Sequence, residues 1–492
     1  MTTHTTKTIF STVFKRRAGV ALIAATTLLI AACSKSGYKA DSNNGYTEAP
    51  QASAKKAPNI VFLLADDHRW DLIGKYHPII QTPNLDALAN KGTFFKKAFV
   101  TTPICATSRA SILTSTTERT HQHTFGRAPV PLALAQNSYP QKLKEAGYQS
   151  AFIGKFGLLI EGETDDRFDY FASLNQTQFN QYNGKDIPQT YYMANLANDF
   201  IEKSHKTNAD KPWTVSVSFW DPHAHDVDEV DQFHYPAEFE SLYQDTVIPP
   251  AKLSSDADFD ALPPFFKDSM ARLRWHFRFG NEDIYQKMVK RHFRAIAGVD
   301  KAVGMITQKL EALGIADNTI IIYTGDNGFN LNERQLAGKW FGWEEHLRVP
   351  LIVYDPRNAA SHGQERDQMV LNIDLAPTML DLAGLPQPST YQGQSVAPLL
   401  SNKHQKLRED FFFEHTFEPN KAPIPPMVGV RTEQWKYVRF VKENNFEQLY
   451  NLKSDPEELT NLAKTKQHQK VLADLRKRTD DYVTQYQALQ VK

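Results

Sequence analysis

Residues 59–67 read NIVFLLADD, an apolar run that ends in two aspartates. A continuous run of this kind is typical of a strand buried on both faces of a parallel sheet. Ligands of open α/β sheets bind beyond the carboxyl ends of the strands, which is where Asp66 and Asp67 follow. Two carboxylates suit Ca²⁺ or Mg²⁺ better than Zn²⁺. A surface turn with two aspartates is the competing interpretation.

Other predicted strands also end in polar side chains. The strand at 150–154 is followed by Lys155, and WTVSVSF at 213–219 runs into Asp221-Pro222-His223. The strand at 318–324 precedes Asp326 and Asn327, and Lys339 lies in a loop before the strand at 349–355. Strands that alternate with helical segments predict an α/β fold with a large, mostly parallel central sheet flanked by helices.

The segment 101–115, TTPICATSRASILTS, predicts a loop that turns into a helix, with Cys105 near the helix N-terminus. Arg109 then follows one turn later. Free N–H groups and the positive end of the helix dipole favour an anion there, and a guanidinium binds tetrahedral oxyanions well. The segment is therefore either a nucleophile beside an anion site or a turn with a buried, inert cysteine.

The last part of the chain differs in pattern from the rest. Short strands are expected at 411–414, 428–431, 435–441 and 448–452, and a charged amphipathic helix from about residue 467. We expect a small antiparallel sheet with one helix packed on the main domain. Residues 226–283 lack periodicity and predict a long insertion that walls a pocket. Its aromatic residues, and those at 340–343, are candidates either for stacking on sugar rings or for the core.

The composition gives no overall charge that would attract a highly charged partner. The 492 residues include 56 basic and 56 acidic side chains, so no net charge favours nucleic acid. Any anionic ligand must be recognised by a local site.

The N-terminal segment predicts export. A basic stretch with Lys7 and Arg16 precedes a short apolar core, and small residues then lead to Cys33. The sequence resembles a bacterial lipoprotein signal at 1–32, with Cys33 lipidated and 33–57 a flexible tether. That resemblance implies a periplasmic or surface-facing protein, anchored to the membrane, with the outer membrane as the expected location. A plain signal peptide that contains a cysteine is the alternative.

Only two cysteines occur in the chain, Cys33 and Cys105. Export places the protein in a compartment where disulfides form. With Cys33 lipidated, Cys105 has no partner for a disulfide within the chain. A lone thiol in such a compartment requires a chemical explanation.

The ordered strand ends together resemble the type I sulfatases of the alkaline-phosphatase superfamily. The matching pieces are NIVFLLADD, the Cys-x-x-Ser-Arg segment, Gly-Lys and Pro-His after strands, Gly-Asp-Asn-Gly, Gly-Lys before LRVPLIV, and LYNLKSDPEELTNLA. They span about residues 58–465. The resemblance implies an alkaline-phosphatase-like catalytic domain at 58–401 and a C-terminal α+β subdomain at 402–492.

The resemblance also implies the chemistry. Cys105 would be converted by a formylglycine-generating enzyme to formylglycine, whose hydrate attacks sulfur in the sulfate ester. Arg109 would hold that side chain, while Lys155, His223 and Lys339 contact the sulfate and His223 or Lys339 protonates the leaving oxygen. One Ca²⁺ would be bound by Asp66, Asp67, Cys105, Asp326 and Asn327.

Two positions depart from the family pattern. Thr107 stands where the family has proline in Cys-x-Pro-Ser-Arg, which implies less complete conversion of the cysteine. Gly157 stands where the family has the histidine that acts as a base. His121, His123 and His225 are candidates to replace that histidine; slower turnover without it is the alternative.

We therefore expect hydrolysis of sulfate esters on a sulfated oligosaccharide. Three alternatives remain: an N-sulfoglucosamine-type sulfamidase, a phosphatase or phosphodiesterase of the same superfamily, and a non-catalytic lipoprotein that binds sulfated glycans. The phosphatase would need two zinc ions with more histidine ligands and a serine or threonine nucleophile. The binding protein would keep an unmodified thiol at Cys105.

Overall fold

A large mixed sheet forms the centre of the computed structural model, which describes residues 56–125, 127–228, 230–418 and 423–491. Its eight strands lie in the order β12-β2-β11-β8-β1-β7-β3-β4, and β11 alone among them runs antiparallel to its neighbours. The described strands are β1 (Asn59–Ala65), β2 (Thr93–Phe99), β3 (Gln149–Gly154), β4 (Tyr170–Ser173), β5 (Phe179–Tyr182), β6 (Lys185–Pro188), β7 (Trp213–Ser218), β8 (Thr319–Gly325), β9 (Asn330–Leu331), β10 (Ala337–Gly338), β11 (Leu351–Tyr354), β12 (Gln364–Leu371), β13 (Asp410–His415), β14 (Met427–Thr432), β15 (Trp435–Phe440) and β16 (Phe446–Asn451).

Helices cover both faces of this sheet. The described α-helices are α1 (Pro83–Lys91), α2 (Cys105–Thr114), α3 (Glu118–His121), α4 (Leu132–Ala135), α5 (Tyr139–Glu145), α6 (Gln189–Thr207), α7 (Asp256–Asp260), α8 (Pro264–Lys267), α9 (Met270–Arg278), α10 (Glu282–Ala312), α11 (Glu344–Leu347), α12 (Leu375–Leu382), α13 (Ala397–Ser401) and α14 (Gln469–Ala488). The predicted α/β class with a mostly parallel sheet is confirmed.

Alternate residues of β1 enter two different cores. Ile60, Phe62 and Leu64 pack on one face with apolar residues of α2, α5 and α12. Val61 and Leu63 pack on the other face with α1, α6 and α10. Because both faces are covered, the strand has no polar side, which is why its sequence is continuously apolar.

The C-terminal residues form the predicted antiparallel sheet, in the order β13-β14-β15-β16, with α14 packed on it. Phe411, Phe413 and Val438 project from its other face into the core that also contains β1 and α2. The described part of this region belongs to the same compact unit as the large sheet. The boundary predicted at residue 402 stays a prediction.

The insertion at 226–283 is more helical than its weak periodicity suggested, because it contains α7, α8 and α9. Most of its helices are too short to show a 3.6-residue repeat. The aromatic residues at 340–343 are core residues rather than sugar-stacking ones, since Phe341 and Trp343 are buried against Phe266.

The predicted signal at 1–32 and almost all of the predicted tether, including Cys33, lie outside the described residues. Within the ranges that the structure describes, no helix has the length and apolar character needed to span a bilayer.

Candidate active site at the carboxyl edge of the sheet

The carboxyl ends of two adjacent parallel strands, β1 and β8, bring the acidic residues together. Ala65 pairs with Gly325, so Asp66 and Asp326 leave the sheet side by side. The backbone N–H of Asp67 donates to Asp326 Oδ1 at 3.0 Å, and Asn327 Nδ2 donates to Asp67 Oδ1 at 2.6 Å. All four side chains are almost completely buried, which excludes the surface-turn interpretation of the two aspartates.

Cys105 occupies the first position of α2, as predicted, and is a free, buried cysteine. Its Sγ and single carboxylate oxygens of Asp66 and Asp326 all lie within 4.8 Å of one another. The strand β2 ends at Phe99 at the same edge of the sheet, so the loop after it delivers the helix N-terminus to the aspartates. The candidate nucleophile and the candidate metal ligands therefore form one site.

Arg109 ties the helix to the strand ends. Its Nε donates to Asp326 Oδ2 at 2.8 Å, and its Nη1 donates to the carbonyl oxygen of Lys155 at 2.7 Å and to the hydroxyl of Ser218. Arg109 Nη2 lies 3.6 Å from Asp66 Oδ2. One guanidinium thus contacts residues that follow or end β1, β3, β7 and β8.

The two predicted lysines reach the same carboxylates. Lys155 Nζ forms an ion pair with Asp66, and it also lies 4.4 Å from the ring centroid of Trp220. Lys339 Nζ forms an ion pair with Asp67 and lies 3.8 Å from Asp66 Oδ1. Both ammonium groups are buried, so they are held against the aspartates rather than solvated.

His223 lies on the opposite side of Asp67, with Nε2 3.8 Å from Asp67 Oδ2. Its Nδ1 is 2.6 Å from the carbonyl oxygen of Ala224, so Nδ1 carries the hydrogen and donates it. Burial lowers the pKa of His223 to about 4. The ring is therefore neutral near pH 7, with an unprotonated Nε2 that faces the aspartates.

The charges at the site balance. Burial alone would raise the pKa of Asp66, but the surrounding cations, Lys155 first among them, hold it below its ordinary value. Burial, together with the negative charge of Asp66, raises the pKa of Asp326 to about 6 despite Arg109. Three carboxylates at positions 66, 67 and 326 face three cations at positions 109, 155 and 339, so the formal sum is zero.

The oxygen ligands fit a divalent cation. Among the described residues, Asp66 Oδ1 and Asn327 Oδ1 are buried and accept no hydrogen bond. A buried oxygen without a partner is costly, and a hard cation satisfies it. Carboxylate and amide oxygens form the donor set that Ca²⁺ prefers. Lys155 and Lys339 form ion pairs with two members of this donor set, Asp66 and Asp67.

The two residues that depart from the family pattern, Thr107 and Gly157, both lie close to the candidate site. Thr107 lies within α2, and its hydroxyl donates to Thr124 at 3.0 Å. Gly157 has φ +67°, and a Cβ at this position would lie 3.5 Å from Arg109 Cδ. The position is thus beside Arg109 but lacks any titratable group.

The three candidate histidines have different surroundings. His123 lines a cavity of about 240 Å³ together with Ala106 and Gly157. His121 is fully buried, with Nε2 3.1 Å from Ser111 Oγ, and His225 stacks on His234 with ring centroids 3.8 Å apart. Of the three, only His123 lines the cavity that Gly157 shares with the residue after Cys105.

Sequence reasoning missed Ser218 and Trp220, which hold Arg109 and Lys155. Ser218 is one of the alternating small residues of β7, and Trp220 precedes Asp221. Neither carries a signal of its own, because their roles depend on side chains that arrive from other strands.

Comparisons with known proteins agree with this geometry. The family model described as "Sulfatase" matches residues 58–385, and that for "N-sulphoglucosamine sulphohydrolase, C-terminal" matches residues 332–485. An N-acetylglucosamine-6-O-sulfatase of Bacteroides thetaiotaomicron is 28% identical over 89% of this chain and 88% of its own length.

Two solved structures share the fold. One is a structure in complex with its substrate D-glucosamine-2-N,6-O-disulfate. It is 26% identical to this chain, with a TM-score of 0.74, and the alignment covers 88% of this chain and 99% of the other. A phosphonate monoester hydrolase of Agrobacterium radiobacter is 20% identical with a TM-score of 0.74, over 87% and 96% of the two chains. At 20% identity the second structure shows the fold alone.

Removal of the guanidinium should destabilise the protein. We expect Arg109→Leu to lower the free energy of unfolding by about 3–5 kcal/mol, because a buried carboxylate loses its partner. Urea unfolding in the presence of chelator measures the change. Lys477→Leu, which removes an exposed partner of Asp481, is the control and should cost less than about 1 kcal/mol. Equal costs for the two variants would contradict this interpretation of Arg109.

Proposed function

The chain belongs to the sulfatase family of the alkaline-phosphatase superfamily, and we propose that it hydrolyses sulfate esters of sulfated carbohydrates with a formylglycine made from Cys105 and one bound Ca²⁺. The observation that carries this proposal is the convergence of Cys105, Arg109, two lysines and the buried acidic residues at one edge of the sheet. As a member of this family the chain is a sulfuric ester hydrolase.

Asp66, Asp67, Asp326 and Asn327, with the modified residue 105, would hold the Ca²⁺. The bound ion would supply positive charge that favours ionisation of the nucleophile and binds a sulfate oxygen. It would also relieve the two buried oxygens, Asp66 Oδ1 and Asn327 Oδ1, that have no partner among the described residues. A formylglycine made from Cys105 would, as its hydrate, supply the hydroxyl nucleophile.

The charge balance indicates how the site binds an anion. With three carboxylates and three cations the protein alone is neutral there. A monoanionic sulfate ester would therefore gain little electrostatic binding free energy. A divalent cation would bring the sum to about +2 and compete with the lysines for Asp66 and Asp67. Lys155 and Lys339 would then direct their N–H groups towards the sulfate.

The leaving oxygen needs a proton when the S–O bond breaks. Lys339 Nζ and His223 Nε2 both lie beside Asp67. Because Nε2 of the neutral His223 carries no proton, Lys339 is the candidate donor, and His223 can donate only after it has taken up a proton. Negative charge develops on the leaving oxygen in the transition state, and a hydrogen-bond donor placed there lowers the barrier. Arg109 acts differently, since its Nε and Nη1 already donate to Asp326, to the carbonyl oxygen of Lys155 and to Ser218. Its Nη2 donates no hydrogen bond to the described residues and is the part of the guanidinium available to residue 105.

His123 is our candidate for the base that Gly157 does not provide. Its Nδ1 lies 3.0 Å from the carbonyl oxygen of Ala128 and therefore donates, which leaves Nε2 unprotonated. Burial lowers the pKa of His123, so the ring is neutral near pH 7. Its unprotonated Nε2 accepts only a long hydrogen bond, 3.5 Å, from the backbone N–H of Leu159. A neutral imidazole in the cavity beside Ala106 can exchange that contact for a proton.

Carbohydrate as the substrate is supported by the relatives, one of which is named for a sulfated N-acetylglucosamine. A second candidate is hydrolysis of an N-sulfate on glucosamine. The match of residues 332–485 to the C-terminal model of N-sulphoglucosamine sulphohydrolases favours it. We also propose that lipid on Cys33 anchors the exported protein to the membrane, most simply the outer membrane.

The state of Cys105 distinguishes the enzyme from a binding protein. We expect the tryptic peptide with residue 105, taken from protein expressed in the exporting host, to contain the aldehyde or its hydrate. Mass spectrometry measures the converted fraction, and Thr107→Pro should raise it if Thr107 limits conversion. A fully retained thiol together with absence of sulfate release would exclude the proposed reaction.

Removal of the metal should abolish activity. We expect EDTA to stop sulfate release from sulfated glucosamine, and added Ca²⁺ to restore both activity and melting temperature, because the ion binds only the folded protein. Asp326→Asn removes one ligand charge and should weaken Ca²⁺ binding by about tenfold or more in calorimetry.

The control for this variant is Asp300→Asn, which changes another buried carboxylate, one that accepts from the backbone N–H of Leu85. It should leave the Ca²⁺ affinity unaltered. Full activity after exhaustive chelation would contradict the metal assignment.

Loss of the proposed base should slow the chemistry. We expect His123→Gln to lower kcat for sulfate release by about 10²–10⁴-fold, the usual contribution of a general base. His225→Gln tests the rival histidine and should leave kcat within a few-fold of the wild type. The opposite order of the two effects would transfer the role to His225.

A further inference from the structure

The insertion places a second group of charges next to the catalytic residues. Asp226 lies three residues after His223, and its carboxylate accepts from two arginines of α9. Arg278 Nη2 donates to Asp226 Oδ1 at 2.7 Å, and Arg274 Nη2 donates to Asp226 Oδ2 at 2.7 Å. Two guanidinium groups thus share one carboxylate.

Arg274 also contacts the other side of the catalytic site. Its guanidinium carbon lies 5.1 Å from the ring centroid of Trp340, the residue after Lys339. The ring of Trp340 packs on Gly338, which adopts a φ of +111°. Arg274 is therefore held between the segments that carry His223 and Lys339, two of the residues assigned to the sulfate.

The two arginines have different roles. Arg278 is buried, with 1% of its side chain exposed, and its Nε also donates to Gln232 at 2.8 Å. Arg278 acts as a positioning residue, because its Nε and Nη2 hold Gln232 and Asp226. Arg274 keeps 20% of its side chain exposed, and among the described residues it donates only to Asp226.

One positive charge consequently remains in surplus within this cluster. Two guanidinium groups and one carboxylate sum to +1, and the accessible member is Arg274. The free donors of a guanidinium match the geometry of sulfate and carboxylate oxygens. Half-burial strengthens such a contact, because the local dielectric constant is lower than that of water.

We propose that Arg274 binds a second oxyanion group, a sulfate or a carboxylate, on the same saccharide whose sulfate ester occupies the catalytic site. The enzyme then selects saccharides that carry two anionic groups close together over those that carry one. This assignment rests on the proposed function, since it concerns the substrate of that same site.

The test compares substrates that differ in one anionic group. N-acetylglucosamine 6-O-sulfate carries one, and N-sulfoglucosamine 6-O-sulfate carries two. A 6-O-sulfated glucosamine disaccharide with a free uronate carboxylate, and the same disaccharide with that carboxylate methylated, distinguish a carboxylate from a sulfate as the second group. Released sulfate gives kcat/KM for each substrate, and mass spectrometry of the product identifies the sulfate that was removed.

We expect the wild-type protein to prefer the doubly anionic member of at least one pair by about tenfold or more, as for a charge-assisted hydrogen bond. Arg274→Ala should reduce that preference to about onefold, chiefly through KM. Arg274→Lys keeps the charge without the planar fork and should give an intermediate preference.

Arg272→Ala is the matched control on the same helix. Its guanidinium packs on Phe259 and Trp275 and donates to Gln335, away from Asp226. This variant should retain the wild-type preference.

The possible failures are distinguishable. Equal kcat/KM within both pairs for the wild type overturns the role of Arg274, whatever the variants do. So does an Arg274→Ala protein that loses activity on both members of a pair in proportion. If the wild type, with verified formylglycine and added Ca²⁺, releases no sulfate from any substrate or from 4-nitrophenyl sulfate, the proposed function itself fails.

Discussion

The structure depends on the mutual neutralisation of charges that are buried at one edge of the sheet. Asp66, Asp67 and Asp326 have almost no contact with solvent, and each is stable as an ion only because a guanidinium or an ammonium group lies beside it. A carboxylate buried there without a cation would bind a proton and lose its charge, because an unpaired ion is costly to remove from water. The cations are thus part of the folded architecture as well as of the active site.

The same balance explains why the site suits a divalent cation and an anionic ester together. Each lysine forms an ion pair with an aspartate that we propose as a metal ligand. Because the three carboxylates neutralise the three cations, the protein avoids the energetic cost of burying a cluster of unpaired positive charges. Arg109 differs from the lysines, because its Nε and Nη1 donate to Asp326, Ser218 and the backbone.

The insertion and the C-terminal sheet extend this arrangement in different ways. Arg274 and Arg278 from α9 contact Asp226, so the insertion reaches the segment that follows β7. The C-terminal sheet instead places Phe411 and Phe413 in the main core, and buried Lys436 pairs there with Glu344 and Glu458. The insertion therefore contributes charged residues near the candidate site, whereas the C-terminal sheet contributes to the hydrophobic core.

The sequence by itself determined the strands, the α/β class and the residues at the strand ends, because a strand buried on both faces must be continuously apolar and its polar residues can follow only where it ends. It also placed Cys105 and Arg109 on one helical turn. Only the tertiary structure decided which histidine lies beside Gly157, that Phe341 and Trp343 belong to the core, and that Ser218, Trp220 and Arg274 face the site. Those features arise from contacts between residues far apart in the chain, and local patterns of hydrophobicity contain no information about such contacts.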